Sequence, residues 1–551
     1  MVLATPIRCL LSRRSPLELW GGVECTVNRV GDRSFDQIAR TGHMWRLDDL
    51  DRFAELGIRT LRFPLLWEHV QPERESEADW RGSDLALERL RELGIRPIVG
   101  LLHHGFGPRW VDVRAAEFPE QFARYARAVA ERYPWIDAYT PINEPLTTAR
   151  FSGLYGHWHP HARDDATFSR LFITQISAIS TAMRAIRRVT RGAELVQTED
   201  LGKVASTPAL ESQRDFENER RWLTWDALCG RVHPGHACWS YLAEAVGDGA
   251  RMLERLTDEP CEAGVIGINH YITSERHLDE RVERYALDEI GGNGREVYAD
   301  VAQVNVESVE RAGLRGLLRE AWERYRLPIA ITECHIGCTR EEQMRWLGEV
   351  WSDASDARDA GADVGAVTSW ALLGSYDWNS LVTRESDHYE SGAFDARGAV
   401  PRPTALAAML HGLASEGRYV HPVLATAGWW HRGKTGAASG PSILIAASDG
   451  STGAEIAAAC ESRGLAYVLL DRDALDIHSS ASAVCALDAH RPWSVVCTTS
   501  YAGALAEECA LRAITLATCD EHALDVHTLL DQLIDSDCTI ASISPLNGVI
   551  V

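Results

Sequence analysis

Two glutamates close apolar, β-branched runs: Asn143-Glu144-Pro145 follows DAYTPI, and Glu333 ends PIAITE. A glutamate at one strand end serves as readily in a surface ion pair. Two that open onto one cavity can instead split a glycosidic bond with retention. One carboxylate attacks the anomeric carbon, while the other carboxyl, its pKa raised, protonates the leaving oxygen and later deprotonates water. That chemistry needs the pair about 5 to 5.5 Å apart. Other spacings suggest metal: His157, His159 and His161 alternate in HWHPH, and Cys334 and Cys338 flank His335. No second cysteine pair completes a zinc pattern, and the histidines follow the first glutamate run.

Far-separated glutamates share a cavity only if a repeating scaffold brings their strands together. Eight β-branched runs supply it: Leu17 to Gly22, Arg59 to Leu65, Arg96 to Leu102, Asp137 to Asn143, Glu194 to Asp200, Gly264 to Tyr271, Pro328 to Glu333 and Ala366 to Leu373. Most follow a helix-like stretch. In LDDLDRFAELGIRT, Leu47, Leu50, Phe53, Ala54 and Leu56 share a face that stops at Gly57; ALERLRELGIRP repeats the pattern and stops at Gly94. Eight βα units favour a closed (β/α)8 TIM barrel over an open sheet, with chemistry at the strand C-termini.

The composition changes after residue 425. TAGWWHRGKTGAASGPS, rich in Gly, Ser and Ala, is expected to be a linker over 426–440. Beyond it ILIAASDGSTGAEIAAAC opens a βαβ unit, and SVVCTT, ITLATC and TIASIS are further strand candidates. The expected fold class is therefore α/β: a barrel over 1–425, then a small incomplete Rossmann-like α/β domain over 441–551.

The 551 residues carry 56 basic and 79 acidic side chains, a net charge of −23. That balance argues against nucleic-acid or anionic-membrane partners and suits a neutral or cationic small molecule. The first twenty residues are broken by Pro6, Arg8, Arg13, Arg14 and Pro16. They lack a signal-peptide core, and the chain is expected to be cytoplasmic, with its 13 scattered cysteines reduced. The sequence leaves the oligomeric state open.

From about Trp20 to Leu413 the sequence resembles glycoside hydrolase family 1, the β-glucosidase-like retaining enzymes. Thr140-Pro141-Ile142-Asn143-Glu144-Pro145 is similar to that family's T-x-N-E-P motif, and Ile329-Ala330-Ile331-Thr332-Glu333 to its I-T-E-N-G motif. The resemblance implies Glu144 as general acid/base, Glu333 as nucleophile, and Asn143 as donor to the sugar 2-hydroxyl. Leu61-Arg62-Phe63 resembles the strand whose arginine holds the nucleophile, and Gly267-Ile268-Asn269-His270-Tyr271 the segment whose tyrosine contacts it. His104, Asn269, Trp370, Asp377 and Trp378 match further sugar-contacting positions, Trp370 as stacking floor and Asp377 as a reader of distal hydroxyls. Trp158, in the cleft loop, is a further candidate for stacking on the sugar. Several positions depart from the pattern. The sugar-gripping glutamine falls at Asn28, Gly105-Phe106-Gly107-Pro108 replaces W-D-L-P, and Cys334-His335 follows the nucleophile position. The implied activity is hydrolysis of a small-molecule glycoside, without cofactor or metal, with the sugar and aglycone left open.

The C-terminal segment resembles the dTDP-4-dehydrorhamnose reductases of the extended short-chain dehydrogenase group, through Ile443 to Gly453, Leu469 to Ile477 and Arg491 to Tyr501. Ala447, Gly450 and Gly453 stand where a dinucleotide fingerprint would lie, which implies Gly450 and Gly453 as cofactor contacts. Those reductases use a Tyr-x-x-x-Lys pair, yet no lysine follows Lys434, and residues 441–551 carry 15 acidic against 4 basic side chains. A decayed or truncated domain without reductase chemistry is expected, with weak NAD(P)H binding as the alternative. Two further alternatives remain at this point: a sugar-nucleotide-handling protein that uses both parts, and a non-catalytic sugar-binding barrel.

Overall fold

The computed structural model describes residues 10–11, 15–74, 77–306, 311–432, 440–447, 450–519 and 525–538. All eight expected runs are strands: β1 (Glu18–Gly22), β2 (Thr60–Pro64), β3 (Arg96–His103), β4 (Ala138–Asn143), β5 (Glu194–Asp200), β6 (Val265–Asn269), β7 (Ile329–Cys334) and β8 (Val364–Ser369). They lie parallel in chain order and close on themselves, since β1 pairs with both β2 and β8. Every residue of β4, β6, β7 and β8 is buried. A strand covered on both faces has no polar side to show, so these read in sequence as unbroken apolar runs.

Helices alternate with the strands. Among them are α1 (Asp49–Glu55), α2 (Arg81–Glu92), α3 (Phe118–Arg132), α4 (Asp165–Val189), α5 (Gly249–Asp258), α6 (Gly313–Tyr325), α7 (Arg340–Asp359) and α8 (Ala405–Glu416). The expected stops hold: Gly57 (φ 84°) and Gly94 (φ 68°) take the left-handed turn after α1 and α2 that a side chain would resist. Leu50, Phe53 and Leu56 are buried, as the periodicity implies, but Leu47 precedes the helix and is 40 % exposed. In α3, Phe118, Phe122, Tyr125, Ala126 and Val129 form the buried stripe. Inside the barrel the single large indole of Trp20 is matched by the small Ala138, Ala330 and Ala366, with Ile98, Val196 and Val265 completing the layer. That size matching is how an eight-strand interior fills without voids.

The chain divides into two compact units, Met1–His335 with Val350–Ser391, and Ile336–Glu349 with Gly392–Val551. The second unit thus includes segments that precede the cut expected near residue 425. Its sheet is parallel, β9 (Ile443–Ala446), β10 (Tyr467–Leu470), β11 (Ser494–Cys497) and β12 (Thr515–Thr518), in the order β10-β9-β11-β12. The helices α9 (Gly450–Arg463), α10 (Ser480–His490), α11 (Gly503–Leu511) and α12 (Val526–Asp537) alternate with them. The expected strand TIASIS lies outside the described residues. The stretch read as a linker is anchored where it is described: Trp430 is buried, its indole N–H donating to Glu349 at 2.7 Å. Composition hid this, because two tryptophans among small residues carry no period. Within this unit Arg463 grips Glu341 with two hydrogen bonds, at 2.9 and 2.5 Å, and also donates to Asp531 at 2.7 Å. Arg463 and Glu341 are buried, so each charge depends on the other for compensation.

Candidate active site

The C-terminal ends of the barrel strands gather the expected residues. β7 changes register against both neighbours just beyond Ile331, a bulge-like irregularity at the position of Glu333; such steps re-aim a side chain. Glu144 follows β4 with φ 43°, His104 follows β3 with φ 58°, and Ala371 and Asp377 beyond β8 have φ 57° and 60°. Left-handed backbone at non-glycine residues is costly and concentrates where geometry is imposed for function.

Glu333 is 2 % exposed. Arg62 on β2 donates to its Oε1 at 2.6 Å and to the Thr332 carbonyl at 2.8 Å, and the Tyr271 hydroxyl donates to its Oε2. Burial pushes the Glu333 carboxyl up to about 7, against the pull of Arg62 and Tyr271 in the other direction. Glu144, 4 % exposed, has a poorer set of partners: Asn269 Nδ2 donates to Oε1 at 2.5 Å, and His104 Nε2 lies 3.8 Å from Oε2. Burial holds His104 down to about 3, so it faces Glu144 as a neutral imidazole. Burial, then the charge of Glu333, then those of Glu199 and Asp200 raise the Glu144 carboxyl well above the ordinary glutamate range. One carboxyl therefore has a guanidinium and a phenol, the other has an amide and nearby negative charge. Environments that differ in this way separate acid from base.

Asn143 Oδ1 accepts from Arg62 at 2.7 Å and from Thr198 Oγ1 at 2.7 Å. With its oxygen so engaged, the amide presents Nδ2 as its donor end, 3.3 Å from His103 Nε2. Asn269 is fixed likewise, because Thr332 Oγ1 donates to its Oδ1 at 2.7 Å.

The residues expected to read the sugar are distributed differently from expectation. Trp370 is 2 % exposed and carries Arg62 4.4 Å from its ring centroid and His103 at 5.4 Å, nearly parallel. It is a wall under the arginine rather than an open floor. The Asp377 carboxylate is fully buried and engaged: Oδ1 accepts from Ser386 N, Ser386 Oγ and His388 N at 3.1, 2.8 and 3.0 Å, and Oδ2 accepts from Arg40 at 2.5 Å. Burial pushes this carboxyl up, but the bonds from Ser386 and Arg40 bring it below the usual range. A carboxylate so occupied is not free for distal hydroxyls. Asn28 is buried and donates Nδ2 to the Val382 carbonyl at 3.1 Å, while its Oδ1 has no hydrogen-bond partner among the described residues. Trp378 packs on His104 at 5.9 Å, and its indole N–H is buried without a partner among the described residues. In the histidine-rich loop, Trp158 is fully buried and donates to the Leu381 carbonyl at 2.8 Å. It is therefore a packing residue rather than an open stacking surface.

Three further acids lie nearby: Glu199 and Glu24 are buried and Asp200 is half-buried. Glu199 accepts from Leu146 N, Thr147 N, Thr147 Oγ1 and Thr224 Oγ1, with burial lifting it to about 7. Asp200 accepts from Ser274 Oγ. Glu24 lies beyond β1. For Glu199 and Asp200 the signal was present, since they end the fifth run as the catalytic candidates end theirs.

The model of the family described as "Glycosyl hydrolase family 1" matches residues 23–385. A 6-phospho-beta-glucosidase of Dickeya chrysanthemi is 23 % identical over 390 residues, 64 % of this chain and 79 % of that protein. Beta-glucosidase 4 of Oryza sativa subsp. japonica is 23 % identical over 409 residues, 65 % and 82 % of the two chains. Among solved structures, the family 1 b-glucosidase from Thermotoga maritima superposes with a TM-score of 0.59 at 16 % identity, over 73 % of this chain and 98 % of that one. Among the described residues no helix is long and apolar enough to cross a membrane. A family model spanning most of the barrel, on a closed eight-strand ring with two buried glutamates at its mouth, gives the conclusion: the chain belongs to glycosyl hydrolase family 1.

Proposed function

We infer that the barrel hydrolyses β-glycosides with retention, Glu333 attacking the anomeric carbon while Glu144 protonates the leaving oxygen. The supporting observation is the asymmetry of partners. Arg62 and Tyr271 hold Glu333 as an oriented carboxylate, whereas Glu144 pairs with no cation among the described residues and faces negative charge. In the first step the C1–O bond breaks as the Glu333 oxygen bonds to C1, and the Glu144 proton leaves with the aglycone. In the second step Glu144, now a carboxylate, takes a proton from water as the water oxygen displaces Glu333. The fixed Asn143 Nδ2 suits a donor to the 2-hydroxyl. The unpartnered Asn28 Oδ1 and Trp378 N–H supply one acceptor and one donor for other hydroxyls, since buried polar groups without partners call for a ligand.

The pH dependence follows from the same asymmetry. Turnover needs Glu333 ionised and Glu144 protonated. Activity is therefore lost as pH falls through about 7, where Glu333 takes up a proton, and lost again above the higher value at which Glu144 releases its own. A plot of kcat/KM against pH should be a bell with its acid limb near neutrality, its two midpoints belonging to the coupled pair. A profile flat from pH 5 to 7 contradicts this ordering.

The relatives include both glucosidases and phospho-glucosidases by name. Charge favours a neutral glycone here. Glu24, Glu333 and Asp377 stand against Arg62, committed to Glu333 and Asn143, and Arg40, committed to Asp377 and Asp387. 4-Nitrophenyl β-glucoside should exceed its 6-phosphate in kcat/KM by about tenfold or more, the order expected for bringing an unpaired charge toward like charges. The reverse preference would overturn this assignment.

We read the C-terminal part as a nucleotide-binding-like α/β fold without hydride chemistry. Ser448 and Asp449 of the glycine turn lie outside the described residues. A Cβ on Gly453 would meet the Ala447 Cβ at 2.6 Å, so this glycine serves helix-to-strand packing. Ala447 brings a methyl to a position the fingerprint leaves bare, and the net charge of the segment opposes a pyrophosphate. These residues do not fit a dinucleotide. NADPH titrated with the full-length chain should show no saturable change in nicotinamide fluorescence; a saturable change would restore cofactor binding.

A further inference from the structure

A third carboxylate lies against this centre, and the double displacement does not use it. Glu24, 5 % exposed, accepts the Thr26 backbone N–H at 2.9 Å through Oε1 and the Trp370 indole N–H at 3.0 Å through Oε2. The Trp370 ring carries the Arg62 guanidinium, and Arg62 holds Glu333. Gly22 leaves room for that ring: a Cβ there would lie 2.5 Å from two of its carbons. Contacts thus run without a break from Glu24 through Trp370 and Arg62 to Glu333. An indole N–H needs only a neutral acceptor such as an amide or hydroxyl. A buried carboxylate in that place carries a desolvation cost of several kcal/mol, which is retained where the charge itself has a use.

Resting on the displacement reading, we propose that Glu24 is a positioning residue for the nucleophile: it anchors the Trp370 wall that seats Arg62, and its charge tunes the ionisation of Glu333. The groups facing Glu333 are Arg62 from β2, Tyr271 beyond β6, Glu144 beyond β4, and Glu24 and Cys25 beyond β1. His103 is kept neutral by burial, as is His104. Of these, Arg62 and Tyr271 favour the Glu333 anion, while Glu24 opposes it. Burial lifts the Glu333 carboxyl most, and the charge of Glu24 adds to that lift against Arg62 and Tyr271.

Two substitutions in the full-length chain separate anchor from charge. Glu24→Gln keeps an acceptor for the indole and removes the charge; Glu24→Ala removes both. The first readout is independent of turnover: 13C NMR titration of carboxyl-labelled glutamates, with the Glu333 signal identified by its loss in Glu333→Gln. Glu24→Gln should move the Glu333 midpoint to lower pH, and an unmoved midpoint overturns the charge role. The second readout is hydrolysis of 4-nitrophenyl β-glucoside. Glu24→Ala should lower kcat/KM about tenfold, as losing a buried hydrogen bond to a charged group does, with most of it restored in Glu24→Gln at the optimal pH. Equal loss in both variants overturns the anchor role. Wild-type hydrolysis with inversion would refute the displacement reading itself, while the NMR titration would still decide on Glu24.

Discussion

Glu333→Ala is expected to lower kcat/KM on aryl β-glycosides by about 10⁴-fold or more, the scale on which removing a nucleophile acts. Sodium azide should restore part of the rate and yield the α-glycosyl azide. Removing the side chain leaves space beside the anomeric carbon on the face Glu333 occupied. Azide enters there, its nitrogen bonding to C1 as the C1–O bond breaks, with Glu144 still donating its proton to the leaving oxygen. One displacement instead of two inverts the centre. Arg62 should remain beside the vacated place, since it also donates to Asn143 and to the Thr332 carbonyl. Activity that survived the substitution would assign the nucleophile elsewhere; Glu199, at the end of β5, is already committed by its hydrogen bonds to Thr147, Thr224 and Leu146.

Glu144→Ala should behave differently, and the difference identifies its role. For poor leaving groups a loss of about 10² to 10⁴-fold in kcat/KM is expected, the ordinary contribution of general acid catalysis. A 2,4-dinitrophenyl glycoside needs no proton on its leaving oxygen, so its kcat/KM should change little. Its kcat should fall instead, because the second step has lost its base and the glycosyl-enzyme accumulates. Azide should then give the β-glycosyl azide, opposite in configuration to the product from Glu333→Ala. If both variants gave the same anomer, the two roles could not be distinct.

The scaffold was legible in sequence because a strand buried on both faces shows as an unbroken apolar run, and Gly57 and Gly94 mark the ends of α1 and α2. The glutamates were legible because each ends such a run. The pairings around them were not. Asp377 meets Arg40 across 337 residues of sequence, and Asn28 meets the Val382 carbonyl across 354. No local pattern records that one carboxylate is already committed while an amide oxygen stays open. Trp370 shows the same limit: its type suggested a stacking surface, but exposure depends on Arg62 and His103, contributed by β2 and β3. Glu24 sits in an irregular segment beyond β1 with no periodicity, so its bond to Trp370, 346 residues away, had no signature at all.

The central claim, a covalent double displacement through Glu333, is tested most directly by incubating the chain with 2,4-dinitrophenyl 2-deoxy-2-fluoro-β-glucoside and mapping the label by peptide mass spectrometry. The 2-fluoro group slows both steps, and the dinitrophenolate compensates only the first, so an ester to the nucleophile should accumulate. The account predicts one dinitrophenolate released per chain and a fluoroglycosyl ester on Glu333. A burst with the label on another carboxylate, or steady turnover with no labelled peptide, would contradict it.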